Sequence, residues 1–257
     1  MDWSRAKTVL IVSFLLLNGL LGYQLWVDEL NLDAFADKAA KREETMRLLE
    51  AQGIKLETDI PEGTPALNEI TVQFDEEHTI REWSPVPEPF PERVLQNEAQ
   101  RREALETFVT EYGAYEFDPY PAYGSSKKYV FNQLHDGLPM FQVRLELAME
   151  GGQVVSYRQT LAEVLPFTDT ASANPSSTGM EVLSAFTVLN SLAESYLSEG
   201  SVITHIQLGY HGPIFESETQ VLAPYWRISL VSGETYYVHA LNGAVESPIE
   251  PKGASGG

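Results

Sequence analysis

Leu138-Pro-Met-Phe-Gln-Val-Arg-Leu145 and Ala223-Pro-Tyr-Trp-Arg-Ile-Ser-Leu230 are the stretches on which the fold turns. In both, proline opens the segment, an aromatic stands two residues later, and aliphatic side chains follow in the same phase. Such alternation puts successive side chains on opposite faces of a sheet. Each proline also follows, at nearly the same distance, a glycine that ends a helical pattern: Gly113 before Pro139 and Gly200 before Pro224.

The surroundings extend the match. Around the first stretch the pattern predicts a strand over 127–135, a turn at Asp136-Gly137, a long strand over 138–150, a turn at Gly151-Gly152 and a return over 153–165. A helix begins near Pro91, with Val94, Leu95, Leu105, Phe108, Val109 and Tyr112 on its apolar face. Around the second, a helix over about 180–197 is capped by Ser177 or Thr178. Strands at 202–210, 215–222, 225–231 and 235–240 follow, with turns at Gly212-Pro213, Ser232-Gly233 and Asn242-Gly243. The class is α+β, a tandem of helix-on-antiparallel-sheet units. The first lobe, with a stalk helix, occupies 28–165; a Ser/Thr/Pro-rich linker 166–177; the second lobe 178–249; a flexible tail 250–257.

The stalk pattern covers 28–52, with Leu32, Phe35, Ala39, Met46 and Leu49 on one stripe and Gly53 as its stop. Strand-like pieces follow at 54–60, 66–74 and 79–83. Ser84-Pro-Val-Pro-Glu-Pro-Phe-Pro91, short of donors for a sheet interior, is expected to be an extended connector.

Upstream of all this, 8–27 is an apolar run whose clearly polar members are Thr8, Ser13, Asn18 and Gln24. As a helix it covers roughly the 30 Å hydrocarbon core of a bilayer. Arg5 and Lys7 precede it, and Asp28, Glu29 and Asp33 follow. The positive-inside rule then predicts a cytoplasmic segment 1–7, a single transmembrane anchor 8–27 and an extracytoplasmic remainder. Gly22-Tyr-Gln-Leu-Trp26 offers no small-residue cleavage pattern, so the anchor is expected to stay uncleaved. Asn18 lies near mid-span, with Gly22 one turn on, Gly19 beside it, and Leu15 and Leu25 continuing the stripe. In lipid, glycines let backbones approach and an asparagine amide bonds across to another helix. These five residues form the candidate partner-binding face.

Composition narrows the functions. Of the net charge of −20, residues 1–27 contribute +1 through Arg5 and Lys7 against Asp2, leaving −21 on the remainder. A surface this acidic repels nucleic acid, so no nucleic-acid partner is expected. With no cysteine there is neither a disulfide framework nor a lipoprotein attachment point, and a buried core must hold the fold. His78, His135, His205, His211 and His239 lack zinc-ligand spacing, so no metal and no other cofactor is expected. There is no G-x-S-x-G elbow and no P-loop. Ser4-Arg-Ala-Lys7 and Ser125-Ser-Lys-Lys128 satisfy S-x-x-K without the companion elements of penicillin-binding enzymes. Among 37 acidic residues, close carboxylate pairs arise by chance and identify no hydrolase. No catalytic residue is assigned.

Met1-Asp-Trp-Ser-Arg-Ala-Lys7-Thr8, running into Val9-Leu-Ile-Val-Ser-Phe-Leu-Leu-Leu17, resembles the start of YycI (WalI) proteins. Similar to the same family are Tyr23-Gln24, Tyr129-Val-Phe-Asn-Gln133 with Gly137-Leu-Pro139, Pro224-Tyr-Trp-Arg-Ile228 with Tyr236-Tyr-Val238, and the closing Asn242-Gly243. The resemblance implies a single-pass accessory protein in membrane lipid. With the sister protein YycH it would contact the sensor histidine kinase YycG (WalK), largely through transmembrane helices. It would thereby tune the response regulator YycF (WalR) and cell-wall metabolism. The resemblance carries over no catalytic residue. A membrane-anchored ligand-binding or inhibitory module and a cell-wall hydrolase are the alternatives.

Overall fold

Asp136-Gly137 and Gly151-Gly152 turn the chain as their residue types require, with φ of 50°, 78°, 57° and 77°. Two successive left-handed residues make the hairpin turn whose twist matches that of the strands it joins. The computed structural model describes residues 13, 14, 16–18, 32–121, 128–166, 179–212 and 217–246. It divides into a unit of residues 1–48 and a unit of residues 49–257. Most of 8–27, nearly all of the expected linker and the tail lie outside the described residues. Among those described, no helix is long and apolar enough to cross a membrane.

The strands are β1 (Lys55–Leu56), β2 (Ala66–Leu67), β3 (Ile70–Phe74), β4 (Ile80–Pro91), β5 (Tyr115–Asp118), β6 (Lys128–His135) and β7 (Leu138–Glu150). They continue as β8 (Gln153–Gln159), β9 (Ala162–Leu165), β10 (Met180–Glu181), β11 (Val202–His211), β12 (Thr219–Leu230), β13 (Thr235–His239) and β14 (Val245–Glu246). Among the described residues one mixed sheet runs β14-β13-β12-β11-β7-β6-β5, with β8 also on β7 and β4 on β8. The two meanders correspond: β6, β7 and β8 in the first, β11, β12 and β13 in the second. Pro139 stands opposite Leu134 of β6, and Pro224 opposite Tyr210 of β11.

The expected purely antiparallel tandem needs correction. The meanders share one sheet because β11 lies parallel to β7, with Tyr210 opposite Met140, and β1 also runs parallel to β11. Long β7 makes this possible. β6 occupies one of its edges, while β8 takes only its second half from Leu145, leaving the first half of that edge for β11.

Other boundaries moved for identifiable reasons. The proline-rich 84–91 is no connector but the second part of β4, paired with β8 through interrupted register. N–H groups of alternate residues point to the same strand edge, so Pro85, Pro87, Pro89 and Pro91 all remove donors from one side. The helix expected over 91–113 breaks at Asn97, whose extended backbone and Oδ1, accepting from Gln100 N, cap a new helix Glu98–Leu105. Its apolar face still packs as expected: Leu105, Val109 and Tyr112 join Phe131, Leu145, Leu147 and Tyr157 in one core. The next helix starts at Ala185 with Ser184 as cap, because Met180–Glu181 is taken by pairing with β2. The return over 153–165 splits into β8 and β9, and the strands expected at 215–222 and 225–231 are one strand, β12.

Helix Leu32–Ala51 ends at Gly53 as expected. Gly53 has φ 67°, and Ile54 N donates to Leu49 O at 2.8 Å, the bond that closes a left-handed helix terminus. Of the stripe read for this helix, Leu49 is buried and Met46 is exposed.

Candidate functional site

Gly209 makes the join between the meanders. A Cβ there would stand 2.5 Å from Pro139 O and 2.6 Å from the Phe141 ring, so only glycine lets β11 approach β7 this closely. Val72, Met140, Val143, Ala162, Tyr210 and Leu222, drawn from both meanders and from β3 and β9, close a core over it.

A buried charge pair crosses the same join. Arg227 of β12 donates to both oxygens of Asp118 of β5, Nη1 to Oδ2 at 2.5 Å and Nη2 to Oδ1 at 2.9 Å. Nη2 also donates to Gln207 Oε1 at 2.7 Å, and the guanidinium lies 4.5 Å from the Phe141 ring centre. Asn132 Nδ2 and the Tyr120 amide donate to Asp118 at 2.8 and 3.0 Å. Side-chain exposure is 2% and 3% for Arg227 and Asp118, so neither charge is tolerable without the other. Burial pushes the Asp118 carboxyl up, but hydrogen bonding and charge from Arg227 outweigh it and hold it below the usual range. His205 stacks on Tyr120 beside this pair, ring centres 4.6 Å apart.

Glu146 of β7 sits between Arg158 of β8, whose Nε donates to it, and Arg144, whose Nε is 4.0 Å away. Burial raises its carboxyl and these partners more than compensate, so it too stays ionised below the usual range. These residues border a cavity of about 280 Å³ whose wall includes Arg81, Phe141, His211 and Tyr237. His211 lies flat on Tyr237, ring centres 4.0 Å apart, with Nε2 3.1 Å from Glu246 Oε2. Its Nδ1 is buried with no partner among the described residues. Burial pushes the imidazole below its ordinary pKa against the pull of Glu246.

The remaining histidines have local roles: His78 bonds Asp75 in a turn, His135 lies edge-on to Tyr210, and His239 Nδ1 accepts from Leu241 N. Among the described residues no group of three potential ligands could hold a metal ion. Of the membrane face read from sequence, Leu15, Gly19, Gly22 and Leu25 lie outside the described residues. Asn18 is described as helical and exposed. The Asp118–Arg227 pair and the arginine-lined cavity were missed by sequence reasoning. One signal was available: an arginine inside the apolar run Tyr225-Trp-Arg-Ile228 demands a buried acid.

Fold and site together define the class: an α+β domain of two related meanders on one mixed sheet, its buried charges paired across their join. The chain belongs to the YycI protein family, whose family model matches residues 33–241. Membership implies a regulator of the YycG/YycF system, non-catalytic and membrane-associated. No curated protein matches the chain. Among solved structures, an uncharacterized protein from Eubacterium rectale is similar at 12% identity and a TM-score of 0.30, covering 85% of this chain and 78% of that one.

Proposed function

We propose that this YycI-family chain is a single-pass membrane regulator that binds a YycG-type sensor kinase through the helix over 8–27, together with a YycH-type sister protein. Residues 1–7 then lie in the cytoplasm and the chain from 28 onward outside, with 28–165 holding the stalk helix Leu32–Ala51 and the first lobe, 166–177 the linker and 178–249 the second lobe. The observation that carries this reading is an apolar helical stretch in need of cover. Phe14, Leu16 and Leu17 are 62%, 69% and 52% exposed, within a run flanked by Arg5 and Lys7 on one side and Asp28 and Glu29 on the other. Water penalises such a stretch; lipid and neighbouring helices do not. Asn18 gives that helix a polar group that a partner helix satisfies, and Gly22 gives it room for close approach.

Two measurements test this. A phosphatase reporter fused after Glu50 is expected to be active outside the cell, on a chain that keeps its N-terminus. Affinity capture of the full chain from solubilised membranes is expected to recover the kinase and the sister protein. A mature chain beginning near Val27 would refute the anchor.

A further inference from the structure

Two buried acceptors on the wall of the cavity beside Glu146 are not fully served by the fold. The first is Nδ1 of His211, whose side chain is 9% exposed and lines the cavity. Its Nε2–H donates to Glu246 Oε2, which leaves Nδ1 with a lone pair. No donor reaches that buried atom among the described residues. The second is Glu146, whose side chain is 6% exposed. Arg158 Nε donates to its Oε2, while Arg144 Nε stands 4.0 Å from Oε1, beyond hydrogen-bonding distance. An ionised carboxylate accepts at about four lone-pair sites, so Glu146 retains capacity for further donors.

The same wall also holds donors and an apolar surface. Arg158 has four N–H groups on Nη1 and Nη2 besides the one given to Glu146. Phe74, Ile80 and Phe141 form the apolar part. A simple carboxylate ligand brings acceptors alone and would leave His211 Nδ1 and Glu146 unmatched. An apolar ligand would take water from both and return nothing, which is unfavourable for buried polar atoms. The wall instead matches a compact ring with an apolar face and several groups that each donate and accept.

We propose that this cavity binds a neutral sugar ring. One hydroxyl donates to His211 Nδ1 and another to Glu146, a sugar oxygen accepts from Arg158, and the C–H face of the ring lies against Phe141. At about 280 Å³ the space suits one such ring. The site lies wholly within residues 49–257 and does not depend on the membrane contact.

The test uses the full chain in a zwitterionic detergent without a sugar headgroup, with saturation-transfer NMR as readout. The probes are the methyl β-pyranosides of glucose, galactose and mannose. At least one should bind saturably, with a Kd of about 1–10 mM for a ligand this small. Its permethylated form keeps the ring and the acceptors but has no hydrogen to donate, and should bind about tenfold more weakly or not at all. The matching uronate should bind no better than the neutral sugar, because its added charge faces Glu146. His211→Phe and Glu146→Gln should each weaken binding about tenfold. Thermal unfolding identifies variants that fail to fold, and the comparison of the free with the permethylated sugar on the unaltered protein decides without them. Absence of saturable binding by all three sugars at several times that concentration overturns the proposal. So do equal binding of the permethylated form, tighter binding of the uronate, or folded variants at both positions that bind the sugar unchanged.

Discussion

Replacing Arg227 by Met removes the guanidinium that joins the two meanders while keeping most of its apolar stem. Asp118 is then left in a site where its side chain is 3% exposed, with Asn132 and the Tyr120 amide as its remaining donors among the described residues. Breaking a buried pair by deleting one partner costs about 3–5 kcal/mol, because the survivor stays charged and unsolvated. Against a typical domain stability of about 5–15 kcal/mol, that is roughly a fifth of the total or more. With a urea dependence of roughly 2 kcal/mol per molar, the midpoint should fall by about 2 M. Trp226, fully buried next to the substituted residue, provides the fluorescence signal. The deficit should shrink as pH is lowered, since protonating Asp118 removes the unpaired charge. The double variant Asp118→Leu, Arg227→Met should recover most of the loss, because apolar replacements of a buried pair are often neutral. A loss below about 1 kcal/mol in the single variant, or a double variant no more stable than the single, refutes the role given to this pair.

Three further outcomes follow from the same geometry. Gly209→Ala places a methyl group against Pro139 O and the Phe141 ring, and should lower stability by about 1–3 kcal/mol in thermal melts. Asp118 and Glu146 keep depressed pKa values because their guanidinium partners outweigh burial. Their contribution is complete above the unfolded carboxyl pKa near about 4 and is lost as pH falls through the lower folded values, so urea midpoints should drop steeply there. The His211 pKa is depressed by burial, so its contribution is complete above the unfolded value near about 6.5 and declines as pH falls below it. His211→Gln should flatten the stability profile between roughly pH 7 and 5 in the same titrations.

Local signals read the strands well and the connections between them less well. Asp-Gly and Gly-Gly turns act within a few residues, and the strand between them, Leu138–Glu150, has the predicted ends. The proline segment misled because the property that excludes proline from a sheet interior is harmless at one edge, and which strand lies at an edge is a matter of the whole sheet. The parallel step between β7 and β11 has no local signature at all. It depends on the first half of one β7 edge being unoccupied and on Gly209 being small enough to enter. Site chemistry was legible in proportion to its locality. The flanking charges and the polar residues of 8–27 are contiguous in sequence. Asp118 and Arg227 are far apart in sequence, as are Arg81 and His211, and nothing but the fold brings them together. The odd arginine in an apolar strand announced that a buried acid must exist, without identifying which of 37 it is.

The claim that contact with the kinase runs through the membrane helix is tested most directly by capture of the kinase with the full chain carrying Asn18→Leu and Gly22→Ile. Leu at 18 removes the amide, and Ile at 22 forces the backbones apart. An interhelical hydrogen bond in lipid is worth about 0.6–2 kcal/mol, so the pair should reduce capture from membranes by roughly 3–30-fold or more. Two-hybrid signal and kinase-dependent transcription should fall with it. Capture that is unchanged by the double substitution and abolished by removing the domain after residue 48 would contradict the account.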